Sequence, residues 1–344
     1  MKIGVALVLC GIIGALSAWL LGYLVIPWLH KLKFGQTILD IGPAWHKKKQ
    51  GTPTMGGILF MAGTVIAMLV VVITDMALGG DIIAKGEFPS DTVKIKVYAG
   101  LLMAIAYSLI GLADDYIKVV KKRNLGLTIK QKSIAQVLVI GVYLGTLYYA
   151  GARHMYLPFI GSVEMNPIVF TVFGAITMYC TVNAVNFTDG IDGLCSSVTV
   201  TALASLTAIA FLRSYDGVSL MTVALLGALI GYLRWNWNPA KVIMGDLGSH
   251  FLGGMIVAIS YALDVPWVIL LIGLTYVMEF LSDVIQIGYF KMTHGKRIFK
   301  MAPIHHHFEM CGWKEKKIVY IFSLINLLGG LAAVALFYFD SSLK

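Results

Sequence analysis

The stretch from residue 3 to residue 29, IGVALVLCGIIGALSAWLLGYLVIPWL, contains 27 residues and no charged side chain. A helix needs about 20 apolar residues to cross the hydrocarbon core of a bilayer. Lys2 is the one charged residue before this stretch, and no A-x-A-like cleavage site accompanies it. We therefore expect a retained membrane anchor rather than a signal peptide that is removed.

Nine further apolar segments follow the first one along the chain. They lie at 55–74, 97–113, 133–152, 165–188, 193–212, 217–233, 247–263, 265–290 and 318–339. The whole chain is 58% hydrophobic and 13% charged, whereas soluble domains carry roughly 25% charged residues. Backbone groups inside a bilayer must satisfy one another, so these segments are predicted to be helices. We predict an all-α polytopic membrane protein with ten transmembrane helices, in which residues 1–344 form a single integral membrane domain.

Basic residues collect in alternate connections between the predicted spans. The connections at 30–54, 114–132, 189–192, 234–246 and 291–317 contain 20 of the 27 Lys and Arg residues. Cytoplasmic loops carry an excess of Lys and Arg, so these connections are predicted to face the cytoplasm. Ten spans would then place both termini outside the cytoplasm. The net charge of +9 would belong to the inner face and attract anionic lipid or a polyanionic substrate.

Asp114 and Asp115 end the third predicted span, and Lys118 follows one helical turn later. Carboxylates at a helix C-terminus oppose the macrodipole, at a cost of about 0.3–1 kcal/mol each. One interpretation is metal binding or base catalysis, with Lys118 on a phosphate. The other is a solvated helix end in which Asp114 and Lys118 pair at i,i+4. The residues alone leave both interpretations open.

Asn183, Asn186, Asp189 and Asp192 recur every three residues at the end of the fifth predicted span. Residues at this spacing lie near one another on a helix. A tight turn rich in Asn and Asp explains the Asp189-Gly190 pair well. It does not explain the asparagines within the span, because polar side chains there usually face the bundle interior. We therefore interpret the four residues as a candidate binding segment at the surface of the bilayer.

Asp246 opens the eighth predicted span within Gly245-Asp246-Leu247-Gly248-Ser249. A carboxylate at the start of a helix is also a common N-cap, and this simpler interpretation stays open. The functional interpretation places Asp246 on a divalent cation. Magnesium is bound by one or two carboxylates together with substrate phosphates, so few protein ligands would be needed.

His305, His306 and His307 lie in the last large inner connection. Consecutive residues point in different directions on a helix or strand, so we do not expect a three-histidine zinc site. Histidines placed at a polyphosphate or a sugar are the functional interpretation, and a polar loop without function is the alternative.

Glu279 and Asp283 lie at i,i+4 within the ninth predicted span. Carboxylates inside a bilayer are costly, so this pair is predicted to face the bundle, a partner such as a Ser or Lys, or a water-filled cleft, without an assigned role.

Five motifs are spread over nearly the whole chain. They are GTPTMGG at 51–57, the Asp114-Asp115 pair with Lys118, NAVNFTDGIDG at 183–193, MGDLGS at 244–249 and MAPIHHHFE at 301–309. Together they resemble the motifs of the polyprenyl-phosphate N-acetylhexosamine-1-phosphate transferases. The triple histidine favours the branch that acts on UDP-N-acetylmuramoyl-pentapeptide, since sister enzymes acting on N-acetylglucosamine carry a different histidine pattern.

The resemblance implies an enzyme of the bacterial cytoplasmic membrane that uses Mg²⁺ as its cofactor. Such an enzyme transfers phospho-N-acetylmuramoyl-pentapeptide from its UDP conjugate to undecaprenyl phosphate. The reaction forms the first lipid-linked precursor of peptidoglycan and releases UMP. The implied partners are these two substrates and the lipid bilayer, with no nucleic acid. A homodimer is compatible with the sequence, which does not fix the oligomeric state.

The resemblance also implies roles for individual residues of a site on the cytoplasmic face. The catalytic residues would be Asp114, Asp115 and Asp246, with one of the first two deprotonating or steering the lipid phosphate. Asp246 would be the principal metal ligand and Asn186 a second one. The substrate-binding residues would be Lys48, Lys118, Lys130, Asn183, Asn186, Asp189, Asp192, His305, His306 and His307. The chain departs from the family at Ile243, where members often carry an aromatic residue that can stack on uracil.

Three alternative functions differ in what they require of the sequence. A sister transferase would use another UDP-N-acetylhexosamine on the same scaffold. A secondary transporter would hold its substrate near the bilayer midplane, whereas most ionisable residues here lie at the inner ends of the predicted spans, Glu279 and Asp283 excepted. A structural scaffold would not need paired carboxylates set against a helix dipole.

Overall fold

The computed structural model describes residues 1–32, 51–84, 89–120 and 126–340. Within these ranges the chain forms twelve α-helices and one two-stranded sheet. The helices are α1 (Ile3–Lys31), α2 (Gly57–Ala77), α3 (Ser90–Val120), α4 (Ile129–Tyr149), α5 (Pro167–Thr188), α6 (Leu194–Leu212), α7 (Asp216–Asn236), α8 (Gly245–Ala262), α9 (Ile269–Ile272), α10 (Leu274–Met292), α11 (Ile304–Met310) and α12 (Glu315–Tyr338). The strands are β1 (His154–Leu157) and β2 (Gly161–Glu164).

Seven of the helices in the described residues are long and apolar enough to cross a membrane. They are α1, α2, α3, α5, α6, α7 and α12. An eighth span results if the bent pair Pro266–Ile272 and Leu274–Met292 is counted as one. Helices α4 and α8 form at the remaining two predicted segments but are not among these seven. The prediction of a helical, multi-pass membrane protein is therefore confirmed, and the number ten stays a prediction.

Helix α8 lies at the centre of the bundle. Every residue from Leu247 to Ala262 is buried. Its glycines allow neighbouring helices to approach closely: a Cβ added at Gly253 would lie 2.7 Å from the Cα of Val182 in α5, and one at Gly254 would lie 2.8 Å from the Cα of Ala104 in α3. Small residues serve this purpose at helix contacts in membranes. A helix enclosed in this way needs no lipid-facing apolar surface, so it can contain polar residues such as Ser249 and His250.

The predicted ninth span at 265–290 is broken rather than straight. Helix α9 and the preceding Pro266–Val268 turn meet α10 at an angle of 86°. The break leaves backbone groups without helical partners, and the Asn326 side chain of α12 satisfies two of them. Its amide nitrogen donates to the Ile272 carbonyl at 2.7 Å, and its oxygen accepts from the Thr275 N–H at 3.2 Å. Non-helical backbone inside a bundle requires such compensation.

The segment at 153–164 forms the small hairpin that its strand-like residues indicate. His154–Leu157 and Gly161–Glu164 pair antiparallel, with His154 opposite Glu164. The hairpin packs at the end of the bundle where α8 finishes, since the Tyr156 N–H donates to the Asp264 carbonyl at 2.7 Å. Asp264 is also bound by Lys96 at 2.6 Å, and both side chains are buried. This end of the bundle lies opposite the C-terminus of α3 and the N-terminus of α8.

Candidate active site

Three carboxylates converge between the last two turns of α3 and the start of α8. Asp114, Asp115 and Asp246 each offer an oxygen, and the three oxygens lie within 4.8 Å of one another. Asp114 and Asp115 are buried, and Asp246 is partly buried. Carboxylate oxygens are the hard ligands that Mg²⁺ prefers, so this donor set fits a divalent cation. Gly111 permits the convergence, because a Cβ there would lie 2.1 Å from the Asp246 carbonyl oxygen.

The side chain of Asp115 lies at the N-terminus of the neighbouring helix α8. Its Oδ2 accepts a hydrogen bond from the Leu247 N–H at 3.0 Å. Leu247 lies in the first turn of α8, where N–H groups lack helical partners and carry the positive end of the dipole. Helix α3 continues for five residues past Asp115, so the predicted opposition between this carboxylate and the α3 macrodipole does not arise, because the dipole acts within the last turn. The N-terminus of α8 instead favours the negative charge of Asp115. Gly245 has a φ of +72°, and a Cβ at this position would lie 2.5 Å from Asp115 Oδ2.

Two lysines approach the carboxylates from α3 and α4. Lys118 Nζ lies 2.5 Å from Asp114 Oδ2 and 3.2 Å from Asp246 Oδ2. Lys132 Nζ lies 3.1 Å from the same Asp246 oxygen. Desolvation favours the neutral form of Asp246, which precedes the predicted span 247–263, but Lys132 and Lys118 hold the pKa of this carboxyl well below its usual range. The site is thus a compact arrangement of opposite charges.

The i,i+4 pairing of Asp114 with Lys118 occurs, but it is only part of the arrangement. Asp114 is buried, and its Oδ1 also accepts from the Leu127 N–H at 2.8 Å. The simpler interpretation of a solvated helix end therefore does not describe these residues. Gly126 lies directly against the same carboxylate, since a Cβ there would lie 2.3 Å from Asp114 Oδ1.

Lys132 was not among the predicted site residues, but it lies at the carboxylate cluster. Lys130, which was predicted to bind the substrate, is exposed on α4. The start of α4 determines which lysine faces the site. Thr128 caps the helix by accepting from the Gln131 N–H at 3.2 Å, while Gln131 Oε1 accepts from the Thr128 N–H at 3.0 Å. Residues two positions apart on a helix point about 200° apart, so Lys130 and Lys132 cannot face the same neighbour.

The asparagines of α5 bind to residues of α8 and α4. Asn186 Nδ2 donates to Asp246 Oδ1 at 2.9 Å and to Ser249 Oγ at 2.8 Å. Asn183 Nδ2 donates to Gln136 Oε1 at 2.9 Å. In this arrangement Asn186 orients Asp246 through its amide nitrogen, and it lies beside the cluster of three carboxylates. Gln136 was not identified from the sequence, because a single polar residue in an apolar segment gives no distinct signal. Ser249 belongs to the MGDLGS motif but had no role assigned to it.

The two aspartates that follow α5 have different surroundings. Asp189 is the C-cap residue of α5. Asp192 is buried, and its Oδ2 accepts from Asn238 Nδ2 at 3.2 Å and from the Ala240 N–H at 3.0 Å. Asp192 therefore ties the α5–α6 turn to the loop between α7 and α8.

The three histidines on and beside the first turn of α11 have three different partners. His305 Nδ1 lies 3.0 Å from Glu279 Oε2, and both side chains are fully buried. His306 Nδ1 lies 2.6 Å from Glu309 Oε2. His307 Nδ1 accepts from the Lys300 N–H at 3.1 Å. Glu279, which had no assigned role, thus faces the bundle as expected and positions His305.

The end of α5 connects the histidines to the carboxylates. Asn186 contacts Asp246, and four residues later Gly190 packs against His305, where a Cβ would lie 2.0 Å from the ring Nε2. Gly190 lies just beyond the C-cap of α5, and four residues span at most about 14 Å, so the two groups border the same region. Of the site residues predicted from the sequence, Lys48 lies outside the described residues.

Two descriptions of known protein families match parts of the chain. The model of glycosyl transferase family 4 matches residues 97–264, which include all three aspartates. A signature of phospho-N-acetylmuramoyl-pentapeptide-transferase matches residues 49–61.

Curated proteins of the same name match over almost the whole chain. Phospho-N-acetylmuramoyl-pentapeptide-transferase of Clostridium botulinum (strain Alaska E43 / Type E3) is 43% identical over 319 residues, which cover 92% of each chain. That of Clostridium perfringens (strain 13 / Type A) is 41% identical, covering 94% of this chain and 96% of the relative. That of Listeria monocytogenes serovar 1/2a is 42% identical, covering 92% and 93%. The chain therefore belongs to the phospho-N-acetylmuramoyl-pentapeptide-transferase family.

Proposed function

We propose that this protein transfers phospho-N-acetylmuramoyl-pentapeptide from its UDP conjugate to undecaprenyl phosphate, with Mg²⁺, and releases UMP. The observation that carries the proposal is the meeting of Asp114, Asp115 and Asp246 with Lys118 and Lys132 at one end of a membrane-type helix bundle. Relatives that bear the name of this activity cover more than nine tenths of the chain.

The charge pattern suits transfer between two phosphates. Phosphoryl transfer depends mainly on positioning and on neutralising the charge of the phosphate oxygens. Lys118 and Lys132 supply fixed positive charge at the site. Asp246, within the cluster of three carboxylates, would be the principal ligand of a magnesium ion, which when bound supplies further positive charge to phosphate oxygens. Asn186 and the α8 N-terminus hold Asp246 and Asp115 in place for this task.

One of the two neighbouring aspartates of α3 would prepare the lipid phosphate. Asp114 is occupied by Lys118 and the Leu127 N–H, whereas Asp115 is bound by the Leu247 N–H and faces α8. We assign Asp115 as the group that deprotonates or steers the acceptor phosphate, with Asp114 holding Lys118. The remaining predicted residues would contact the nucleotide and sugar: Lys48, Lys130, Asn183, Asp189, Asp192, His305, His306 and His307.

The same proposal includes the orientation of the protein. The carboxylate cluster lies at the end where α3 and α5 finish and α4 and α8 begin, and this end carries the connections rich in Lys and Arg. Positive charge favours the cytoplasmic side. We place the site at the inner leaflet of the bacterial cytoplasmic membrane, with ten spans and both termini outside. A UDP-linked substrate would then enter from the cytoplasm and the lipid acceptor from the bilayer.

A product assay with two donors tests the proposed reaction. Purified protein with undecaprenyl phosphate is expected to convert UDP-N-acetylmuramoyl-pentapeptide into UMP and a lipid-linked product. UDP-N-acetylglucosamine serves as the comparison donor. Equal or faster turnover of UDP-N-acetylglucosamine would instead identify a sister transferase.

A further inference from the structure

A cavity lies between α11, the start of α12 and the loop after α7. Its volume is about 640 Å³. Cavities that bind small ligands usually measure about 300–1,000 Å³. It is lined by Asn238, Glu309, Gly312, Trp313, Lys314, Glu315 and Lys316. None of these residues is among the predicted site residues.

The wall of this cavity is built by the end of α11. The Trp313 N–H donates to the Phe308 carbonyl at 3.1 Å, and the Gly312 N–H donates to the Glu309 carbonyl at 2.9 Å. Gly312 has a φ of +86°. This pattern is a Schellman motif, in which the residue after the glycine packs back on the last helical turn. The sequence Phe308-Glu309-Met310-Cys311-Gly312-Trp313 therefore determines where the Trp313 ring lies.

The Trp313 ring is held in place by two contacts. Its centroid lies 4.6 Å from that of Phe308, and Lys317 Nζ lies 4.0 Å from its centroid. Aromatic and cation–π contacts of this kind stabilise a ring position. The cavity thus has one fixed aromatic wall and, beside it, the exposed lysines Lys314 and Lys316.

The cavity shares its walls with residues predicted to bind the substrate. Glu309 lines the cavity and contacts His306 at 2.6 Å. Asn238 also lines it and donates to Asp192 Oδ2 at 3.2 Å and to Glu315 Oε2 at 3.0 Å. Both glutamates of the lining are therefore engaged by neighbouring side chains. A ligand that extends from the carboxylate cluster past His306 or Asp192 would reach this cavity.

We infer that the cavity binds the peptide arm of the donor substrate, with the free C-terminal carboxylate of the peptide at Lys314 and Lys316. The inference rests on the proposed function. The muramoyl group acylates the amino end of the pentapeptide, so the carboxyl end is free and negatively charged. Five extended residues span about 17 Å, which suits a cavity adjoining the site. Ammonium groups bind carboxylates, and an aromatic wall accommodates aliphatic side chains.

The test combines a variant of the protein with a variant of the substrate. The protein variant is Lys314→Ala with Lys316→Ala, and the substrate variant has its peptide C-terminus converted to a neutral amide. With wild-type protein, the amide is expected to raise KM about tenfold while kcat changes little, because a charge-assisted contact is lost. The double variant should show the same rise in KM with the normal substrate. It should show no further rise with the amide.

Lys296→Ala is the matched control, because Lys296 is exposed and does not line the cavity. It should behave as the wild type with both substrates. The inference would be wrong if the amide raised KM equally in the wild type and in the double variant, or if it raised KM in neither protein. The transferase assignment would stand in both cases. If wild-type protein released no UMP from the normal substrate, the proposed function itself would fail and the inference with it.

Discussion

The Lys132 ammonium lies 3.1 Å from the Asp246 carboxylate, although the two residues are 114 positions apart in the chain. This contact joins the first turn of α4 to the first turn of α8. It places positive charge next to the carboxylate that also accepts from Asn186 at 2.9 Å. The two lysines at Asp246, Lys132 and Lys118, therefore belong to the centre of the proposed reaction rather than to a general basic surface.

The lysines of α4 should differ sharply in their effect on turnover. We expect Lys132→Ala to lower kcat by about 10²-fold, because a preorganised charge at the reacting phosphates is removed. Lys130→Ala, on the exposed side of α4, should have a smaller effect. Steady-state release of UMP measures both variants. A Lys130→Ala variant more severely impaired than Lys132→Ala would contradict the assignment.

Asp115 is expected to act on the rate rather than on donor binding. Asp115→Asn keeps the size of the side chain and an oxygen that can accept from the Leu247 N–H. It should lower kcat by about 10²-fold or more, since a group that transfers a proton is lost, and it should leave KM for the UDP substrate nearly unchanged. A variant with full kcat would remove Asp115 from the chemistry.

Gly111 should be required for the close approach of α3 and α8. In Gly111→Ala the new methyl group would meet the Asp246 carbonyl oxygen at 2.1 Å, so the helices must separate and the carboxylates shift. Misplacement of catalytic groups by about 1 Å can cost about 10²-fold in rate. Gly141→Ala on α4 is the matched control, because no atom lies within 4 Å of its Cβ position. Equal activity in the two variants would show that this contact is unimportant.

The Glu279–His305 pair should contribute to stability as well as to the site. Glu279→Ala leaves His305 buried without its partner, so we expect the free energy of unfolding to fall by about 1–3 kcal/mol. Asp283→Asn, one turn along α10 and partly exposed, should change it less. Thermal unfolding in detergent compares the two. A stable Glu279→Ala variant would imply that the pair is not formed.

Much of the membrane architecture could be predicted because it depends on local patterns. Long apolar segments determine where helices form, and the strand-like residues around 154–164 predict the hairpin. The break between α9 and α10 could not be predicted, because it depends on Asn326, which is 54 positions from Ile272. A single asparagine in an apolar segment does not indicate which backbone groups it satisfies.

The aspartates of the candidate site were identified because carboxylates at the ends of predicted spans are unusual. Lys132 was missed within a run of basic residues, although the sequence contains the signal that identifies it. Thr128-Ile129-Lys130-Gln131 has the Thr-x-x-Gln pattern of a capping box, which fixes the start of α4 and hence the direction of Lys132. The Glu279 partner of His305 could not be found in this way, since the pair joins α10 to α11 across a loop.

Release of UMP as a function of magnesium concentration tests the central claim most directly. The assay uses purified protein, UDP-N-acetylmuramoyl-pentapeptide and undecaprenyl phosphate, with Asp246→Asn as the comparison. We predict no release in excess EDTA, restored release by wild-type protein when Mg²⁺ is added, and almost none by Asp246→Asn at any magnesium concentration. Full release by wild-type protein in EDTA, or wild-type turnover by a folded Asp246→Asn variant, would contradict the account.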